Sequence, residues 1–180
     1  MTRIIGLDLS LVSTGLALPD GTTTTIRPDR TGITQRRLNE LFGKLWRALD
    51  PENPQVAIVE GPSLHSPGEL GKWRRAKWAG CAELALERLR CHVVEVPPAT
   101  LKKYATDNGA ADKPAMVQAA LDAGGDPAND DEADAYLLWC LGELVVNGRD
   151  LFNQPDDVTR RERLALDLWW PTPEELARAS

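Results

Sequence analysis

Two short apolar runs in this chain each end in a carboxylate, and that pattern constrains the fold more than any other feature. Arg3-Ile4-Ile5-Gly6-Leu7-Asp8 and Val56-Ala57-Ile58-Val59-Glu60 are continuously apolar rather than alternating, the form taken by strands covered on both faces. A carboxylate at such a strand end leaves the core and meets solvent. A third acidic segment, Asp130-Asp131-Glu132-Ala133-Asp134-Ala135-Tyr136-Leu137-Leu138, is helical in pattern. Its i, i+3 spacing puts Asp131 and Asp134 on one face, while Ala135, Leu138 and Leu141 turn inward. Each acid alone has an ordinary explanation: Asp8 as a turn cap, Glu60 as a surface residue, and Asp130, Asp131 and Glu132 as charges favoured by a helix N-terminus. As a set at these element ends, Asp8, Glu60, Asp131 and Asp134 are expected to converge.

Carboxylates brought that close repel one another, and a divalent cation resolves the conflict. Hard ions such as Mg²⁺ take oxygen ligands, and a pair roughly 4 Å apart stabilises both the attacking and the leaving oxygen of a phosphodiester displacement. The expected chemistry is phosphodiester hydrolysis with two Mg²⁺ ions, Mn²⁺ serving as a substitute.

A chain of 180 residues with 42% hydrophobic content suits one domain with a sizeable core. We expect that domain over residues 1–148 and a distinct tail over 149–180. No run of 18 apolar residues occurs and the N-terminal apolar run is short, which predicts a cytoplasmic protein without membrane span or signal peptide. Cys81, Cys91 and Cys140 are scattered and lack any C-x-x-C spacing, so they are expected to be reduced core thiols. His65 reads as a loop residue and His92 as a strand-entry residue.

The net charge of -6 is distributed unevenly. From Glu69 to Lys103 there are eight basic residues (Lys72, Arg74, Arg75, Lys77, Arg88, Arg90, Lys102, Lys103) against four acidic ones; from Asp107 to Asp134 there are eight acidic residues against Lys113. A solvated face explains many such runs, but a basic zone beside an acidic metal pocket also suits a phosphate backbone crossing that pocket.

Element by element, Ile4 to Leu7, Gly15 to Leu18 and Thr22 to Ile26 read as three antiparallel strands, with a turn at Pro19-Asp20-Gly21. A helix over Ile33 to Leu49 crosses to the strand Val56 to Glu60. Gly61 to Pro67 reads as a loop, Glu69 to Leu89 as a long helix and His92 to Val96 as a fifth strand. Pro97-Pro98 opens a short helix carrying Lys102 and Lys103; helices over Lys113 to Ala123 and Asp131 to Val146 follow. This order predicts an α/β fold, a mixed five-stranded sheet flanked by helices. In the tail, Thr172-Pro173-Glu174-Glu175 has capping-box spacing, marking a short helix docked on the domain or on a partner.

With these elements in place, the chain resembles the RuvC family of Holliday junction resolvases, within the RNase H-like superfamily. The resemblance spans roughly residues 3 to 146 and is carried by Ile5-Gly6-Leu7-Asp8, Thr14-Gly15, Val59-Glu60, Ala111-Asp112-Lys113 with Val117-Gln118, and Asp131-Glu132-Ala133-Asp134. It implies that Asp8, Glu60, Asp131 and Asp134 are the metal-binding catalytic set, that Lys113 lies near the scissile phosphate, and that Lys102 or Lys103 supplies a second cation. It also implies a homodimer matching a junction's two-fold symmetry. The basic zone offers Lys72, Arg74, Arg75 and Lys77 as DNA contacts, and on the Glu69 to Leu89 helix Trp73, Ala76, Trp78, Ala79 and Gly80 could pack against a partner, though half of that stripe must bury against the chain's own sheet. Two departures stand out. Leu9-Ser10 replaces the Pro-Gly common after the family's first aspartate, and the loop after Glu60 offers Leu64 and His65 where an aromatic is usual. Leu64 could wedge between bases or simply pack.

Two other readings compete. The run Ile5 to Ser10 also suits the first phosphate loop of actin-like or sugar-kinase ATPases, with Asp122-Ala123-Gly124-Gly125 as a second motif, but that motif should follow a strand and 180 residues cannot form two lobes. A protein that binds branched DNA without cutting it would lose its catalytic acids, whereas all four are present here. In RNase H itself the glutamate lies on a helix, which favours the resolvase branch. The expected partner is branched DNA, with no nucleotide cofactor and no membrane.

Overall fold

In this computed structural model, residues 1–10, 12–29, 35–61, 69–152 and 168–178 are described, without the side chains of 69–72, 74 and 178. Strands β1 (Ile4–Asp8), β2 (Thr14–Ala17), β3 (Thr23–Ile26), β4 (Val56–Glu60) and β5 (His92–Val96) form one sheet in the order β3-β2-β1-β4-β5. The first three run antiparallel, while β1, β4 and β5 are parallel. This is the mixed sheet the sequence predicts, with β4 and β5 at the expected bounds and β2 shifted one residue towards the N-terminus.

Successive strand residues point to opposite faces, and the sheet sorts its core accordingly. Ile5, Leu7, Leu16, Ala57 and Val59 pack against α1 (Gln35–Leu49) and α2 (Glu69–Arg88), with Leu41, Leu45, Leu49, Trp78 and Leu86 fully buried. Ile4, Ala17, Val56 and Ile58 face the opposite layer, formed by α3 (Pro98–Thr106), α4 (Lys113–Asp122) and α5 (Asp130–Gly142). By the same parity Asp8 shares the face of Ile4 and Gly6, and Glu60 that of Val56 and Ile58. The pairing of Gly6 with Ile58 puts the two acids at matching strand ends, on the α5 side.

Helix α5 lies on the sheet closely enough that side chains must give way beneath it. A Cβ on Gly6 would stand 2.0 Å from the Ala135 carbonyl oxygen, and one on Gly15 would stand 1.9 Å from that of Asp131. The buried surface of α5 includes nearly every residue from Glu132 to Gly142, so the helix is the centre of its layer rather than an amphipathic cover.

The predicted extension of α5 to Val146 is corrected: the α-helix ends at Gly142 and a π-helical turn covers Glu143–Asn147. Buried Glu143 accepts hydrogen bonds from Asn147 Nδ2 (3.1 Å) and pairs with Arg149 (3.3 Å). Asn147 in turn bonds Thr2 through both amide atoms. The wider turn thus serves polar partners that a straight helix would direct elsewhere.

The tail helix α6 (Pro173–Arg178) starts in the predicted capping box: Thr172 N donates to Glu175 Oε2 (2.8 Å) and Glu175 N donates to Thr172 Oγ1 (3.3 Å). It docks on the chain itself, with His92 Nε2 3.2 Å from the Glu175 carbonyl oxygen and Leu168, Trp170 and Leu176 against the α5-side core. The three cysteines are free thiols, with Cys91 and Cys140 buried. Among the described residues no helix is long and apolar enough to cross a membrane.

Candidate active site

Asp8 and Glu60, at the C-terminal ends of neighbouring parallel strands, meet the first turn of α5. Asp8 donates a hydrogen bond to Glu60, and both feel the negative charge of Asp131; Asp134 acts on Asp8 and is itself acted on by Glu60. Burial, reinforced by Glu60, Asp134 and Asp131, pushes the Asp8 carboxyl up to about 9. Burial, then Glu60 and Asp130, pushes Asp134 up to about 7. Burial also raises Glu60, against the pull of Lys102 and Arg75. The structure therefore brings the four predicted acids into one electrostatic neighbourhood.

Their arrangement is looser than a finished ligand cage. Among the described residues no three Asp, Glu, His or Cys side chains are grouped as a ready metal site. Asp8 and Glu60 instead share a proton, the outcome that repulsion favours between facing carboxyl groups. The donor chemistry nonetheless fits a hard cation. All four groups are carboxylates, and Asp134 Oδ1 is buried without a hydrogen-bond partner among the described residues, a costly condition that a ligated ion would relieve.

Three cations border the acids. Lys102 acts on both Glu60 and Asp134, while Lys103 is exposed. Arg75, on α2, acts on Glu60. The ammonium of Lys113 is 78% exposed and pairs with Asp130, whose hydrogen bond raises it and is aided by Asp131 and Asp134. Asp112, beside it, caps α4 by accepting from Ala115 N at 3.0 Å.

Other predicted residues fall elsewhere. Lys77 sits over the exposed ring of Trp73, 4.0 Å from its centroid. Leu64 and His65, and the side chains of Lys72 and Arg74, lie outside the described residues. Trp78 belongs to the half of the α2 stripe that buries in the chain's own core: it is fully buried and its Nε1 donates to Thr14 Oγ1 at 2.9 Å. Its size and N–H are better satisfied inside than in an interface. Trp73, Ala76, Gly80 and Leu84 remain exposed on α2. The string Asp122 to Gly125 ends α4, with Gly124 N and Gly125 N donating to Leu121 O and Ala120 O, so it closes a helix instead of following a strand.

Sequence reasoning assigned Glu132 no part in the site, offering for it only the ordinary role of a helix N-terminal charge, yet it is 6% exposed. It accepts from Thr25 Oγ1 (2.5 Å), Thr23 Oγ1 (3.1 Å), Ala128 N (3.0 Å) and Asn129 Nδ2 (3.2 Å). Burial raises its carboxyl, but these donors outweigh burial and hold it below the ordinary glutamate value. Asn129 caps α5 by accepting from Glu132 N (3.0 Å). The Asn129-x-x-Glu132 spacing was a capping signal that could have marked it. Glu132 fixes the rotation of α5 against β3, and so the direction in which Asp131 and Asp134 face.

No family model and no curated protein matches this sequence. Solved structures do. RuvC of Thermus thermophilus, in complex with a Holliday junction substrate, superposes with a TM-score of 0.66 at 14% identity, over 77% of this chain and 91% of that one. The chain has a RuvC-like fold. A second Thermus thermophilus RuvC structure gives a TM-score of 0.61 at 16% identity over the same shares. The mixed five-stranded sheet with helices on both faces that the element order predicts is the arrangement present.

Proposed function

We propose that the chain is a metal-dependent, structure-selective endonuclease that hydrolyses phosphodiester bonds in four-way or other branched DNA, acting as a homodimer. The observation that carries this reading is the meeting of partly buried Asp8, Glu60 and Asp134 with Asp131 at the ends of β1 and β4 under α5. A fold gains nothing in stability from gathering carboxyl groups there, so their use is chemical. The resemblance to a RuvC solved with a Holliday junction substrate supports the choice of DNA.

Asp8, Glu60, Asp131 and Asp134 would hold Mg²⁺, with Mn²⁺ as a substitute and two ions at work, which supplies Lewis acidity at the phosphate and a nucleophilic water. Ion binding would displace the proton that Asp8 donates to Glu60, since a ligating carboxyl must be ionised. Lys113 and Lys102 stabilise charge on the phosphoryl oxygens. For Lys113 this means exchanging Asp130 for phosphate, an exchange that its exposed position permits. Arg75 steers the backbone towards Glu60. The exposed α2 face of Trp73, Ala76, Gly80 and Leu84 is the proposed dimer contact, giving two sites for the two of a junction's four strands that are cut.

The test is direct. Purified protein is incubated with labelled four-way junction and with linear duplex of the same sequence, in Mg²⁺ or in chelator. Cutting of the junction alone, only with Mg²⁺, is expected. Equal cutting of linear duplex would reduce the reading to an unselective nuclease, and junction binding without any cutting would leave a binding protein.

A further inference from the structure

Beyond the acids, one buried hydroxyl ties three parts of the site together. Thr14 Oγ1 donates to the Ser10 carbonyl oxygen at 2.8 Å and accepts from Trp78 Nε1 at 2.9 Å. Thr14 and Trp78 are both fully buried. Ser10 lies two residues beyond Asp8, in the segment that turns from β1 into β2. Gly15, next to Thr14, pairs with Asp8 across the strands and supports the Asp131 carbonyl from below. Trp78 stands one helical turn beyond Arg75, whose charge acts on Glu60. A single hydroxyl thus joins the backbone behind Asp8 to the helix that carries Arg75.

We propose that Thr14 and Trp78 are positioning residues: their hydrogen-bond chain fixes the segment behind Asp8 to α2, and phosphodiester cleavage depends on it although neither side chain meets DNA. The inference rests on the nuclease reading above. Hydrogen bonds in so dry a place are strong and directional, and both of the hydroxyl's roles are in use. Catalysis by positioned charges tolerates little movement, since a misplacement of about 1 Å costs on the order of a hundredfold in rate. The remaining α1–α2 core would keep the chain folded once the bond is gone, because Trp78 also packs with Leu16, Ala82 and Leu86 in the same cluster.

Three variants separate positioning from packing. Trp78→Phe removes the N–H while keeping an aromatic ring, Thr14→Val removes the hydroxyl at nearly constant shape, and Thr14→Ser restores the hydroxyl. Each is assayed with four-way junction in Mg²⁺ for kcat and KM, for junction affinity in chelator, and for its unfolding midpoint. Trp78→Phe and Thr14→Val are expected to lose about tenfold to a hundredfold in kcat with affinity within about twofold of the parent, while Thr14→Ser returns to within about threefold. Combining Trp78→Phe with Thr14→Val should cost little more than either alone, because both break the same chain. Parental kcat in the folded Trp78→Phe and Thr14→Val variants would overturn the inference, as would a loss that Thr14→Ser fails to restore or that follows only the unfolded fraction. A parental protein that cuts no junction would instead sink the nuclease reading, and the positioning role with it.

Discussion

Holding a proton on an aspartate up to about pH 9 makes its ionisation costly, and the cost falls on the fold. In the unfolded chain Asp8 and Asp134 titrate near 3.8, whereas folding raises them to about 9 and about 7. The folded state therefore binds protons more tightly than the unfolded one. The stability these groups contribute is complete below about pH 4 and is lost as pH rises through the folded values. Asp8→Asn removes the larger of the two titrations. In chelator the variant should exceed the parent in unfolding free energy at pH 9, by several kcal/mol, with the gap closing towards pH 4. Denaturant melts across that range check it, and a variant weaker than its parent at pH 9 would contradict it. With Mg²⁺ present the same variant should bind junction as the parent does and cut none. The identities of these acids were legible in the sequence because strand ends and an i, i+3 repeat are local patterns. The shared proton was not, since it depends on burial and distance, which no local pattern encodes.

At the scale of elements, α5 decides whether the acids meet, and its seat has two parts. Glu132 sets its rotation through four donors, and Glu132→Ala would leave the Thr23 and Thr25 hydroxyls and Ala128 N without their acceptor around a cavity, while Asn129 keeps its bond to Thr25 Oγ1. A loss of about 2–4 kcal/mol is expected, with Glu132→Gln milder because the amide oxygen still accepts. Gly15 sets its height. A methyl there would stand 1.9 Å from the Asp131 carbonyl oxygen, with backbone on both sides and no flexible side chain to yield. Gly15→Ala should therefore lift the first turn of α5, cost several kcal/mol in a melt and reduce cutting to background, whereas Gly80→Ala, with nothing within 4 Å, should fold as the parent does. Apolar runs and breakers revealed β4, β5, α3 and α4 almost to the residue. They failed at the end of α5, where Val145 and Val146 continue the apolar pattern and only the distant partners Thr2 and Arg149 reveal the π-helical turn. The place of Trp78 was left open for a related reason: a helix with little difference between its faces hides which one is inward, and the partner that settles it, Thr14, is 64 residues away.

Across the whole molecule, under the proposed function a net charge of -6 must still attract DNA, and it would do so by separation rather than by total. Lys102, Lys113 and Arg75 border the acids, so the approaching backbone meets cations before carboxylates. Binding should weaken steeply as salt rises. The opposite demand comes from α2, where Trp73 is 63% and Leu84 50% exposed on a helix that otherwise buries Trp78, Ala82, Ala85 and Leu86. Large apolar side chains left in water along one helix are best explained by a covering surface. In the proposed dimer that surface is the same helix of a second copy, with Gly80 and Ala76 allowing close approach. Trp73→Glu combined with Leu84→Glu puts like charges opposite one another across the two-fold axis and should give a particle of half the mass in sedimentation. Each active site remains whole in the monomer, because its acids all come from one chain, so nicking of a junction should persist while paired cutting of two of its strands is lost. Nicked junction would then accumulate where the parent yields resolved duplexes. Paired cutting by a particle that sediments as a monomer would show that the two strands are cut without a second site, and the α2 face would need another occupant.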